Sequence, residues 1–163
     1  MTTPDQLVMY HHSTAGFSLP APRDWLLQEN PQDKVAVVIV APERGDEFRP
    51  NMVVTVDELE PGQTLEAWQE FIESINPQML DRYLLIDTEV RTLRGHDVFR
   101  RLAHHANPDG TALTMDQWST VRGNIGYTLT TTAETMEFQQ TSGMFAAIAG
   151  GFRMDGDRKE TES

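Results

Sequence analysis

Apolar positions alternate with polar ones over one long stretch, from Tyr83 to Ala133. Four runs rich in Thr, Val, Leu and aromatic residues fall there: Tyr83–Leu93, His96–Ala106, Thr111–Val121 and Ile125–Ala133. Turn residues separate them: Arg94-Gly95, Asn107-Pro108-Asp109-Gly110 and Arg122-Gly123-Asn124. β-Branched and aromatic side chains suit a pleated surface, and Gly, Asn, Asp and Pro supply turn conformations. The pattern predicts three antiparallel hairpins in succession. A four-residue loop at Asn107–Gly110 sets Ala106 opposite Thr111, Arg101 opposite Asp116 and Phe99 opposite Trp118, the last two being favourable cross-strand pairs.

Upstream, Leu7–His12 reads as a short strand, and Phe17–Leu19 as another that Pro20 and Pro22 should stop, since proline has no N–H to give a ladder. Pro22–Gln28 reads as an irregular plug with Trp25 tucked inward, and Asn30–Lys34 as a loop. Val35–Ala41 is almost wholly apolar, which predicts a strand covered on both faces. Met52–Val56 is a strand suited to pair with it.

The period then changes. Leu65, Trp68, Phe71, Ile72 and Ile75 recur at helical spacing, with Glu66, Gln69, Glu70 and Glu73 opposite. Thr64 is the expected N-cap and Asn76-Pro77 the expected stop. A second helix is predicted within Glu134–Gly151, carrying Met136, Phe138, Met144, Phe145, Ala147 and Ile148. Gly150-Gly151 ends it through positive φ, and Phe152–Met154 packs back onto the sheet. Asp155–Ser163 reads as a disordered tail. The fold class is α+β: one domain over residues 1–154, with a curved antiparallel sheet of about six or seven strands and two main helices.

Composition narrows the function classes. A net charge of -12 argues against non-specific binding to nucleic acid or anionic membranes. Without cysteine there is no disulfide, thiolate catalysis or Cys-based metal site. No run approaches the ~18 apolar residues of a membrane span, and the N-terminus carries no signal-peptide pattern, so the expected location is cytoplasmic.

The five histidines, His11, His12, His96, His104 and His105, are the main chemical raw material. Adjacent strand residues face opposite ways, so a His-His pair offers one ligand per face, and no metal site is expected. No serine sits in Gly-x-Ser-x-Gly, and no glycine-rich phosphate loop is present. Asp87, Glu89 and Asp97 read as solvated strand-face acids.

Several short motifs resemble the PsbP-like α/β-sandwich superfamily, and within it the actinobacterial LpqN/LpqT-related group. Arg49-Pro50-Asn51 before a Val-rich strand is similar to that group's pattern. So are Tyr127–Thr132 and the final helix running into Gly151-Phe152-Arg153. The resemblance spans about residues 7–154. It implies a curved antiparallel sheet packed by helices and a binding or assembly role, as in DcrB-type proteins and toxin-secretion chaperones. It implies no catalytic set. The group's lipoprotein members carry a lipobox Cys, which this chain lacks.

The reading that results is a non-enzymatic, chaperone-like interaction module without cofactor. It receives a partner segment on the sheet face or in a groove beside the first helix. The candidate binding residues are Trp68, Phe71, Arg101, His104 and Trp118. A homodimer through an exposed edge strand is a further expectation. An apolar pocket for a small molecule or lipid is the alternative, and an enzyme using His104 or His105 with a nearby acid is the third reading.

Overall fold

The structure, a computed structural model, describes residues 6–156. Ten strands and two helices follow the order β1 (Leu7–His11), β2 (Phe17–Pro22), β3 (Leu26–Gln32), β4 (Val35–Val40), β5 (Asn51–Glu58), α1 (Leu65–Met79), β6 (Asp81–Leu93), β7 (His96–Ala106), β8 (Ala112–Arg122), β9 (Ile125–Glu134), α2 (Phe138–Gly150) and β10 (Arg153–Met154). Seven strands form one antiparallel sheet in the order β3-β4-β5-β9-β8-β7-β6, and β1-β2-β10 form a second.

The expected meander is present; its first turn is Arg94-Gly95 as expected, whereas Arg122 belongs to β8 opposite Ile125 and leaves a two-residue last turn, Gly123-Asn124. The middle hairpin differs by one residue. Its loop is three residues, Pro108-Asp109-Gly110, closed by the Asn107 N–H to Thr111 carbonyl bond at 2.9 Å. Gly110 takes φ +91°, and the Asp109 carboxylate accepts the Thr111 N–H, which draws Thr111 into the turn. Arg101 therefore faces Gln117, and Phe99 faces Ser119. Arg100, not Arg101, sits on the face with Asp116 and Trp118. One residue of register sends Arg101 to the other side of the sheet.

Three more expectations change. The ladder runs through Pro20 and Pro22. The flanking bonds His12 N–H to Phe17 carbonyl and Arg23 N–H to Gln6 carbonyl place the donors at odd-numbered positions of β2, so these prolines fall between them. The segment from Leu26 to Gln32 is a strand, not a plug and a loop, with Leu26 and Leu27 exposed on an edge. α1 passes through Pro77 to Met79. Its last turn is anchored to β6: the Tyr83 hydroxyl donates to Glu73 at 2.7 Å, and Asn76 donates to that hydroxyl at 3.3 Å.

The core lies on the face of the large sheet that α2 and the small sheet cover. Phe17 and Leu19 of β2, Val37 and Ile39 of β4, Met52 and Val54 of β5, Leu129 of β9, and Phe145 and Ile148 of α2 are buried together. Trp25 packs edge-on to Phe145 with ring centroids 6.4 Å apart, and Phe17 stacks on Phe152 at 5.4 Å. Met136 stands outside the core, 89% exposed. Gly151 ends α2 with φ -94°, so positive φ is not its role. A Cβ there would lie 2.4 Å from Pro20, so glycine permits the close approach of α2 to β2.

α1 covers the opposite face. Thr64 caps it by accepting the Ala67 N–H at 3.0 Å, as expected. Its buried residues are Trp68 and Gln69, whereas Phe71 is 57% exposed. Asp155 donates its N–H to the Gly16 carbonyl, so the chain stays attached one residue beyond β10. The rest of the expected tail, residues 157–163, lies outside the described residues.

Candidate functional site

The five candidate residues do not converge. Trp68, Phe71 and Arg101 belong to the α1 side of the sheet, and Trp118 and His104 to the α2 side. Trp68 is buried against Gly126 of β9. Arg101 is 1% exposed. Its guanidinium donates to Glu73 Oε1, Gln69 Oε1, the Gln69 carbonyl and Gln117 Oε1, at 2.8, 2.8, 3.1 and 2.8 Å. It also lies over the Phe99 ring, 5.1 Å from the centroid. This is a strut joining α1 to β7 and β8, with no surface left for a ligand. Burial pushes the Tyr83 hydroxyl beside it up to about 12, so it remains a proton donor to Glu73 through the physiological range.

The histidines are likewise structural in their contacts. His104 Nδ1 lies 2.8 Å from the Thr114 hydroxyl, which donates onward to Thr135 at 3.0 Å; the shared hydroxyl therefore accepts from Nδ1–H. Burial holds His105 below the usual imidazole range, and His104 adds to the effect. His12, which sequence reasoning set aside, is buried and fully engaged. Nδ1 accepts the Thr14 and Ala15 N–H groups, and Nε2 lies 2.9 Å from the Ala36 carbonyl. Two accepted bonds at Nδ1 place the proton on Nε2 and leave no lone pair for chemistry. Among the described residues there is no group of three or more His, Asp or Glu that could hold a metal.

Two features, among others, are open to a second molecule. The first is the edge of the large sheet at β6. Leu84, Leu85 and Ile86 are 58%, 39% and 46% exposed, and Met79 at the end of α1 is 74% exposed. Among the described residues β6 pairs only with β7, and its ladder is irregular on both sides of Leu84-Leu85. The bulges keep this stretch from being a flat edge.

The second is a cavity of about 230 Å³ between α2 and the sheet. Val98, Trp118 and Leu129 line its sheet side, and Ala146, Ala149 and Gly150 its helix side. Small residues on α2 leave the space that a leucine would fill. Phe152 and Tyr127 also line it, and so do Arg91 and Arg100. Arg100 grips Asp116 with two bonds, 2.7 and 2.8 Å, and Glu89 with a third at 3.0 Å. It also lies over Trp118, 5.8 Å from the centroid. Arg91 pairs with Glu89 at 2.7 Å. The hydrogen bond from Arg100 holds the Glu89 carboxyl below its usual range, and the Asp116 bonds raise Arg100 in turn. Trp118 alone of the sequence candidates lines this cavity. No sequence signal marks the cavity, because it depends on which face of α2 its alanines occupy.

No family model matches the chain, and no curated protein matches it by sequence. Solved structures do. The cyanobacterial PsbP (CyanoP) of Synechocystis sp. PCC 6803 superposes with a TM-score of 0.72 at 18% identity, over 91% of this chain and 92% of that one. LpqN of Mycobacterium tuberculosis, involved in cell envelope biogenesis, gives 0.65 at 19% identity over 92% and 91%. The Saccharomyces cerevisiae Ran-binding protein Mog1p gives 0.63 at 12% identity over 91% and 95%. No helix among the described residues is long and apolar enough to cross a membrane. With the seven-stranded sheet, the small second sheet and the two helices, these superpositions establish that the chain has the PsbP-like fold, the form seen in LpqN included.

Proposed function

We propose that this protein is a non-enzymatic interaction module whose β6 edge receives an apolar segment of a protein partner. The observation that carries this is the cluster Met79, Leu84, Leu85 and Ile86: four large apolar side chains, all exposed, within eight consecutive residues. Scattered exposed leucines need no explanation, but three successive exposed aliphatic residues on an edge strand, with Met79 shortly before them, do. An exposed apolar patch costs solubility, and the chain's net charge of -12 offsets that cost. A fold neighbour that is a Ran-binding protein supports this use of the scaffold. The bulges favour docking of side chains onto the patch over simple extension of the sheet, so a heterologous partner is a better fit than a twofold homodimer.

Site-specific photocrosslinking tests the proposal. A photoreactive residue at Ile86 is expected to trap one discrete protein species in cells, and the same residue at exposed Glu60 is expected not to. The Leu85→Glu change should remove the adduct while leaving the circular dichroism unchanged, because Leu85 is already partly in water. Equal labelling from both positions, or adducts that persist in Leu85→Glu, would refute the site. An adduct only with a second copy of the chain would replace the heterologous partner with a dimer.

A further inference from the structure

We propose that the cavity under α2 binds a small apolar molecule carrying a single hydrogen-bond-accepting head group, such as a carboxylate or carbonyl. This site is separate from the β6 patch and does not depend on it.

Size sets the class first. A void of ~150 Å³ holds a benzene-sized molecule, and pockets for drug-sized ligands begin at ~300 Å³. At about 230 Å³ this cavity suits a fused ring or a short acyl chain. The walls set the body of the ligand. Leu93, Val98, Trp118, Leu129, Ala149 and Phe152 offer only carbon at their tips, apart from the Trp118 indole N–H. The hydroxyls among the lining residues are already engaged. The Thr120 hydroxyl donates to the Asp97 carbonyl at 2.9 Å, and the Tyr127 hydroxyl donates to the Ala15 carbonyl at 3.1 Å. A ligand body with its own polar groups would find only the Trp118 indole N–H to replace its lost water bonds.

The two arginines set the head group. Each guanidinium has five N–H donors and no acceptor. Arg100 uses three of its donors on Asp116 and Glu89. Arg91 is more than half exposed and, among the described residues, pairs with Glu89 alone of the carboxylates. The two carboxylates balance the two positive charges, so this end of the cavity is neutral in total but rich in donors. It rewards an acceptor and penalises a donor-only cation. Arg94, which donates to the Gly150 and Phe152 carbonyls at 2.8 and 3.0 Å, ties the end of α2 to the β6–β7 turn and so holds the cavity's shape.

The probes are octanoate and octylamine, which share a tail and differ in head group, titrated by ligand-observed NMR against the full chain. Saturable octanoate binding is expected, at least about tenfold tighter than octylamine. Ala146→Phe, at an exposed position on α2 that lines the cavity, should weaken octanoate by about tenfold or more at unchanged circular dichroism. Arg91→Gln alters a mostly solvated side chain, and it should narrow the gap between octanoate and octylamine while the tail still binds. Equal affinity for the two probes, no saturable octanoate signal, or full binding by a folded Ala146→Phe protein would each overturn the proposal.

Discussion

Changing Arg101 to methionine is expected to lower the unfolding free energy by about 3 kcal/mol, with a fall in Tm of roughly 6–12 °C. Methionine keeps most of the aliphatic stem but has no donors. Gln69 Oε1, the Gln69 carbonyl, Gln117 Oε1 and Glu73 Oε1 would all lose a bond at once. Each buried acceptor left unpaired costs ~1–3 kcal/mol, and removing one partner of a buried ion pair costs ~3–5 kcal/mol. The sum is discounted because the Glu73 side chain is 32% exposed, so water can take over part of its solvation. Lysine should recover less than half of the loss, since its single ammonium cannot reach partners that the planar fork spans. Denaturant unfolding of the three proteins decides the matter. A loss below ~1 kcal/mol in Arg101→Met would mean that the strut is not what holds α1. With the expected loss of stability, any loss of partner binding in this variant would be read as a displaced α1, not as a missing contact, because Arg101 has no exposed surface with which to touch a partner.

The strut also shows how far the sequence could be read. The hairpin meander, the capping of α1 by Thr64 and the return of Phe152–Met154 to a sheet were legible, because each rests on local periodicity or turn chemistry. Register was not. It depended on whether Asn107 and Thr111 close a three-residue loop, a choice made by the Asp109 side chain bond and the φ of Gly110. That single residue decided whether Arg100 or Arg101 would meet Asp116. The outward assignment of Gln69 failed for a related reason. A helix face read from apolar spacing alone has no place for a buried amide, and Gln69 is buried because the guanidinium beneath it needs an acceptor.

The candidate site was less legible than the fold. Trp68 and Arg101 attract notice as large or charged residues in a sheet-and-helix protein, and both prove to be packing devices. Leu84, Leu85 and Ile86 of the β6 patch lay within the predicted strand Tyr83–Leu93, but strand periodicity does not say which strand ends at an edge. That follows from the order of strands in the sheet, with β6 last. The cavity under α2 was invisible because alanines at helical positions read as ordinary helix formers. Their function as a void appears only once Trp118 and Val98 are placed beneath them.

Gly126→Val is expected to destabilise the protein by about 3 kcal/mol, against the intrinsic preference of a strand for valine. Two effects favour the change: valine fits a strand better by up to ~1 kcal/mol, and it lowers the entropy of the unfolded chain by ~0.4–1 kcal/mol. Packing opposes them and wins. A Cβ on Gly126 would lie 2.5, 2.8 and 2.9 Å from three ring atoms of Trp68, all closer than carbon atoms can approach. The indole is 4% exposed and fixed to α1, so relief requires the whole helix to lift. Lifting α1 would also stretch the bonds from Arg101 to Gln69 and Glu73, which couples the two largest expected effects in the molecule. The diagnostic is a double-mutant cycle. In a Trp68→Ala background the same Gly126→Val change should become neutral or stabilising, a coupling of roughly 3 kcal/mol, since the void left by the ring accommodates the new methyl groups. If valine cost the same with and without the indole, the close approach of Trp68 to β9 would not be what positions α1. The helix would then hang on Arg101 and Tyr83 alone.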